Sequence, residues 1–106
     1  MRFLDSSAIV KLVLDEFGSA GLKRYLGNRQ FAASELARTE VIRAVARRAP
    51  SRLALAFDIV EQAKLIHPTR ALLDTAARLL PPSLGSLDAI HLASALELRD
   101  ELTAFV

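Results

Sequence analysis

No cysteine occurs among the 106 residues, so disulfides and thiolate metal sites are both excluded. No apolar run approaches the roughly 18 residues that a membrane-spanning helix requires. The N-terminus also lacks the basic-then-apolar pattern of a secretory leader, because Asp5, Lys11 and Asp15 interrupt its apolar residues. Strong charge of one sign is missing too: 14 Lys and Arg stand against 12 Asp and Glu, a formal net charge of +2. Such a balance permits a polyanionic partner without demanding one. Internal repeats, linkers and low-complexity tracts are absent. With 52% hydrophobic and 25% charged residues the composition is globular, which argues against disorder. These features together predict a soluble, cytoplasmic chain with one small domain over residues 1–106.

What is present is organised around the opening stretch MRFLDSSAIVKLVL. Arg2-Phe3-Leu4 reads as the core of a strand, and Asp5 stands where that strand runs out. Ser6 to Leu14 follows as an apolar segment broken by Lys11, read as a helix with Ser6 or Ser7 as N-cap. A carboxylate between two hydrophobic elements needs a partner, whether a backbone amide, a cation or a metal. In open α/β sheets the ligand crevice lies at the carboxyl ends of the strands, where Asp5 would sit.

Further along, Ser19 is expected to cap a short helix through Leu26, stopped by Gly27-Asn28. Phe31-Ala32-Ala33 reads as a second strand. Ser34 to Ala49 is an amphipathic helix with Ala37, Val41, Ala44 and Val45 at helical spacing, and Pro50 ends it. Ser51 to Leu65 reads as its antiparallel partner, and Ile66-His67 as a brief strand. Thr69 caps a helix holding Leu72, Leu73, Ala76, Leu79 and Leu80. Ser86 or Leu87 to Leu98 is another helix, apolar almost all round and so expected to be buried. Leu102 to Val106 is strand-like. Short strands alternating with helices predict an α/β layered domain with a mainly parallel sheet.

Three acids stand out against this background, each with an ordinary reading beside a functional one. Asp5 is either a helix cap or a site carboxylate. Glu40 leans toward the interior beside the apolar stripe, or else forms a surface pair with Arg43. Asp88 opens the Leu87–Leu98 helix, where the helix dipole favours a carboxylate in any case. His91, three residues on, is either a general base or a core histidine hydrogen-bonded to a neighbouring carboxylate. His67 has no evident partner and is given no role.

Taken together, carboxylates gathered without neutralisation repel one another, and a hard divalent cation removes that penalty. Oxygen ligands without cysteine point to magnesium or manganese rather than zinc. Such sites activate water and neutralise charge on a phosphodiester. Arg38, Arg43, Arg47, Arg48 and Arg52 crowd the helix hairpin near Glu40. They offer contacts to a nucleic-acid backbone, or else a solvated face that pairs with another protein chain.

Three motifs now become recognisable. Phe3-Leu4-Asp5-Ser6-Ser7-Ala8-Ile9-Val10-Lys11-Leu12 resembles the opening of PIN-domain toxins of the VapC type, commonly L-D-T/S-S-A-L/I-V-K-L. Ser34 to Ala44 resembles the segment S-x-L-x-x-x-E-x-x-R-A, and Ser86 to Ala95 resembles S-L-D-A-I-H-L-A-x-A. The resemblance implies a three-layer PIN-like fold, a short mainly parallel sheet flanked by helices. It implies a toxin-type endoribonuclease that hydrolyses RNA phosphodiesters, with tRNA or rRNA as the substrate class. Asp5, Glu40 and Asp88 are then the catalytic metal ligands for Mg2+ or Mn2+, with Ser6 supporting the site. Arg43 and Arg47 become contacts to RNA or to a VapB-like antitoxin, and a homodimer is expected. After residues resembling Glu101 to Val106, such proteins continue with a T-Y-D-like stretch bearing a fourth acid, then a helix and an edge strand. This chain stops before them, so the closing elements are expected to be missing. The alternative expectation is therefore a shortened scaffold that binds antitoxin or RNA without cleaving it.

Overall fold

The computed structural model describes residues 1–99 together with the backbone of Ala104–Phe105. Four strands form one sheet: β1 (Arg2–Phe3), β2 (Phe31–Ser34), β3 (Lys64–Ile66) and β4 (Ala104–Phe105). Their spatial order is β3-β2-β1-β4, and every pairing is parallel. Helices fill the crossovers, as parallel strands require. They are α1 (Ser6–Val13) and α2 (Ser19–Leu26), α3 (Leu36–Arg48) and α4 (Leu53–Gln62), then α5 (Arg70–Ala77) and α6 (Ser86–Glu97).

Alternation of side chains along the strands divides the core between the two sheet faces. Leu4, Phe31 and Ala33 join Ile9, Val13, Val41, Val45 and Val60, which packs α1 to α4 on one face. Phe3, Ala32 and Ile66 join Leu72, Ala76, Ala89 and Ala93, which packs α5 and α6 on the other. The expected layered α/β fold with a parallel sheet is therefore present.

Strand order decides where a ligand can bind. From β1 the chain steps to β2 and β3 on one side, then returns to add β4 on the other. The direction reverses at β1, and a crevice opens beyond the carboxyl end of a sheet at such a switch point. Asp5 occupies that position.

Several expected boundaries move. The N-cap of α1 is Asp5, whose backbone is extended (ψ 174°) and whose Oδ1 accepts the Ala8 N–H at 2.9 Å; Ser6 and Ser7 lie inside the helix. Gly18, at φ +89°, caps α2 with its backbone conformation, so Ser19 is the first helical residue rather than the cap. Ser34 ends β2 and is fully buried, so α3 begins at Leu36. Lys64 and Leu65 pair with Ala32 and Ala33 in β3, so α4 stops at Gln62 and the strand lies earlier than Ile66-His67. A short apolar run there suits helix or strand alike, and only the open edge of β2 decides. The 3-10 turn Pro50–Arg52 separates α3 from α4. α5 ends at Ala77, short of Leu79 and Leu80. α6 is not buried all round. Its small residues Ala89, Ala93 and Ala95 pack inward while Leu87 and Leu96 are exposed. Of the strand expected over Leu102 to Val106, Ala104–Phe105 is present as β4, and Leu102, Thr103 and Val106 lie outside the described residues. Among the described residues no helix is long and apolar enough to cross a membrane.

Candidate active site

Three elements deliver side chains to the crevice beyond β1. The turn from β1 into α1 carries Asp5 and Ser6, the second turn of α3 carries Glu40, and α6 carries His91. Glu40 is the point of convergence. Its Oε1 accepts a hydrogen bond from Ser6 Oγ at 2.7 Å and lies 2.6 Å from His91 Nε2. Ser6 Oγ and His91 Nε2 are themselves 3.4 Å apart. Both donors meet one carboxylate oxygen, so Oε2 keeps no hydrogen bond among the described residues. The Glu40 side chain is 30% exposed and that of His91 only 6%, so the pair sits at the boundary between core and crevice.

Because Glu40 supplies only acceptors, the His91 proton on this side resides on Nε2. Nδ1 is buried with no hydrogen-bond partner among the described residues. The reading of His91 as a core histidine bonded to a carboxylate holds. The surface pair between Glu40 and Arg43 is not formed: Glu40 turns to Ser6 and His91, and Arg43 is exposed without an acidic partner among the described residues.

Asp5 serves as the helix cap. Its Oδ1 accepts from Ala8 N–H and from Ser7 Oγ, both at 2.9 Å, and Oδ2 makes no hydrogen bond among the described residues. It lines a hollow of about 290 Å³ with Ser7, Lys11 and Gly18. Glu40 lines a second hollow, about 220 Å³, with Ser6, Ser7, Lys11, Glu16 and Arg48. Ser7 and Lys11 are common to both, so the two hollows adjoin along α1. Asp88, in the first turn of α6, is exposed and makes no hydrogen bond among the described residues.

The donor chemistry of this set suits a hard divalent cation. Asp5, Glu40 and Asp88 offer carboxylate oxygens, and each keeps at least one without a hydrogen bond among the described residues. Their arrangement is looser than the sequence suggested. Among the described residues, no three of His, Cys, Asp and Glu stand close enough together to hold one metal ion. The structure thus brings Glu40 to Ser6 and His91, places Asp5 next to Ser6, and leaves Asp88 exposed on the first turn of α6, in neither hollow.

Of the arginines on the hairpin, three are already paired: Arg38 with Glu61, Arg48 with Glu16, and Arg52 with Asp15 and the Val13 carbonyl. Arg43 and Arg47 are exposed and make no ion pair among the described residues. His67, which had no expected partner, lies 2.8 Å from Glu35 through Nδ1. Strand register explains it: Glu35 N–H bonds the Ile66 carbonyl, which sets the two following side chains side by side.

The fold agrees with comparisons to known proteins. Residues 2–105 match the PIN domain family. Ribonuclease VapC46 of Mycobacterium tuberculosis (strain ATCC 25618 / H37Rv) is 43% identical over 101 residues, covering 94% of this chain and 78% of the relative. Ribonuclease VapC47 of Mycobacterium tuberculosis (strain CDC 1551 / Oshkosh) is 37% identical over 112 residues, with 100% and 82% covered. A crystal structure of Mycobacterium tuberculosis VapC20, described as a sarcin-ricin loop cleaving toxin, superposes with a TM-score of 0.77 over 99% of this chain and 87% of that one. Its sequence is 17% identical, so it speaks for the fold alone. The chain therefore belongs to the PIN-domain family, and within it to the VapC-type ribonucleases.

Proposed function

We propose that this chain is a toxin-type endoribonuclease that hydrolyses phosphodiester bonds of structured RNA, of the tRNA or rRNA class, in the cytoplasm. The observation that carries this reading is the convergence of Ser6 and His91 on Glu40 at the switch point of the sheet. An ordinary surface glutamate pairs with a neighbouring cation and is worth little to the fold. Glu40 is instead held by two donors from different elements, which orients its free oxygen toward the crevice.

In this reading Asp5, Glu40 and Asp88 would hold a magnesium or manganese ion. When bound, such an ion lowers the pKa of water and neutralises charge developing on a phosphoryl oxygen. The chain's own groups do the rest. Ser6 and His91 fix the Glu40 carboxylate, Asp5 is fixed by the α1 cap, and Arg43 and Arg47 are free to meet flanking phosphates. A small antitoxin of the VapB kind, whose basic tail would fill the acidic crevice, and a second copy of the chain are the proposed partners.

A second reading is supported by the absence of a three-ligand group among the described residues: a scaffold that captures RNA or antitoxin without cleavage. One experiment separates the two. Purified chain is titrated with Mg2+ and Mn2+ against total tRNA and rRNA, beside Asp5→Asn and Glu40→Gln. Cation-dependent cleavage lost in both variants supports the nuclease. Binding of RNA with no cleavage at any cation concentration supports the scaffold.

A further inference from the structure

The turn between α1 and α2 holds the most exposed large hydrophobic side chain described. Phe17 is 98% exposed. Single exposed hydrophobics are common and by themselves signify nothing. This one differs because the turn that carries it is pinned on both sides. Buried Ser19 donates through Oγ to the Leu14 carbonyl at 2.7 Å, accepts the Glu16 N–H at 3.0 Å, and bonds the Glu16 carbonyl through its own N–H at 3.0 Å. Arg48 pairs with Glu16, while Arg52 and Lys23 pair with Asp15. Gly18 takes the left-handed φ of +89° that closes the turn. The turn beneath Phe17 is tied down on both sides, and the ring itself is left in water.

Its position is equally specific. Glu16, on one side of Phe17, lines the hollow of Glu40; Gly18, on the other, lines the hollow of Asp5. The turn that carries Phe17 therefore borders both hollows. Around it, Lys11, Lys23, Arg48 and Arg52 stand with Asp15, Glu16 and the carboxylates of the two hollows, Asp5 and Glu40, so the setting is polar and balanced in charge. Its sequence neighbours, from Asp15 to Ala20, are polar or small, so it lacks the contiguous apolar surface that a protein docking face requires. A lone exposed aromatic ring carried on a pinned turn in a polar setting fits a nucleobase, which stacks on aromatic side chains.

We propose that Phe17 is a stacking platform for one unpaired base of the RNA next to the scissile phosphate, and so determines which single-stranded position is cut. This rests on the ribonuclease reading above and adds the recognition element to that site.

The chain has no tryptophan, so Phe17→Trp installs a single reporter without disturbing any contact of the ring. Short single-stranded oligoribonucleotides are expected to quench its fluorescence in chelator-treated protein. With magnesium or manganese, Phe17→Ala should raise KM roughly 5- to 150-fold, the range that base–aromatic stacking spans, while kcat stays within about twofold. Phe17→Trp should retain the wild-type KM, and the Tm of both variants should be unchanged. Replacing one nucleotide of the substrate by an abasic residue should abolish the difference between wild type and Phe17→Ala. If wild type cleaves RNA while Phe17→Ala has the same KM and Phe17→Trp shows no quench, stacking is overturned and the nuclease stands. If wild type neither binds nor cleaves RNA, both readings fall. An unchanged KM with loss of a homodimer on sizing assigns the ring to a protein interface and also overturns the proposal.

Discussion

His91 Nε2 lies 2.6 Å from Glu40 Oε1 and joins α6 to α3 beyond the carboxyl end of β1. His91 is buried and Glu40 reaches the crevice, so the contact transmits the rigidity of the core to a group that faces solvent. His91→Leu removes that donor, whereas His91→Gln preserves an N–H near the same place. The leucine variant is expected to lose about 1–3 kcal/mol of stability and to cleave RNA at least tenfold more slowly. The glutamine variant should recover part of the rate. Thermal melts and cleavage kinetics on the same preparations check this, and equal rates for all three proteins would remove His91 from the site.

Asp5 carries two separable duties. Asparagine is a good N-cap, so Asp5→Asn is expected to keep the wild-type Tm and lose cleavage. Asp5→Ala should lose both, with a stability cost of about 0.5–2 kcal/mol from the missing cap. Urea unfolding of the two variants measures the first effect and an RNA cleavage assay the second.

Cation binding has a readout that needs no substrate. A ligand that binds only the folded chain stabilises it by about 2.7 kcal/mol at a hundredfold excess over Kd. Manganese should therefore raise the Tm of wild type, with the increase reversed by chelator and much reduced in Glu40→Gln and Asp88→Asn. A wild-type Tm indifferent to millimolar manganese would favour the scaffold reading.

Arg43 and Arg47 differ from the other hairpin arginines in having no acidic partner among the described residues. Substituting each by alanine is expected to weaken RNA binding and to lower the slope of log K against log salt by about 1 per residue. Arg38→Ala, which breaks the pair with Glu61, should change the slope less. Salt-titrated binding isotherms decide between them.

Stability and chemistry should also separate by location. Leu72 is 2% exposed and packs in the cluster under α5 and α6. Leu72→Ala is expected to cost about 2–5 kcal/mol, lowering Tm by more than about 8 °C. Cleavage well below the new Tm should remain near wild type.

Much of this molecule was legible along the chain. Short strands alternating with helices predicted the layered α/β fold, and the stretch after Phe3-Leu4 located a carboxylate at a strand end. Both depend on local pattern, which one dimension contains. What escaped it was everything set by pairing across the sheet. Whether Lys64 and Leu65 were helix or strand waited on the free edge of β2, and the partner of His67 waited on the register that brings Glu35 beside it. Glu40 illustrates the same division. Its spacing on α3 showed that it leans inward, but Ser6 and His91 lie 34 and 51 residues away, and no periodicity relates them. The sequence by itself determined the kinds of donor this crevice holds; only the folding of three separate elements onto one strand end decided which of them meet, because hydrogen bonds act over a few ångströms and the chain specifies such distances only once it is packed.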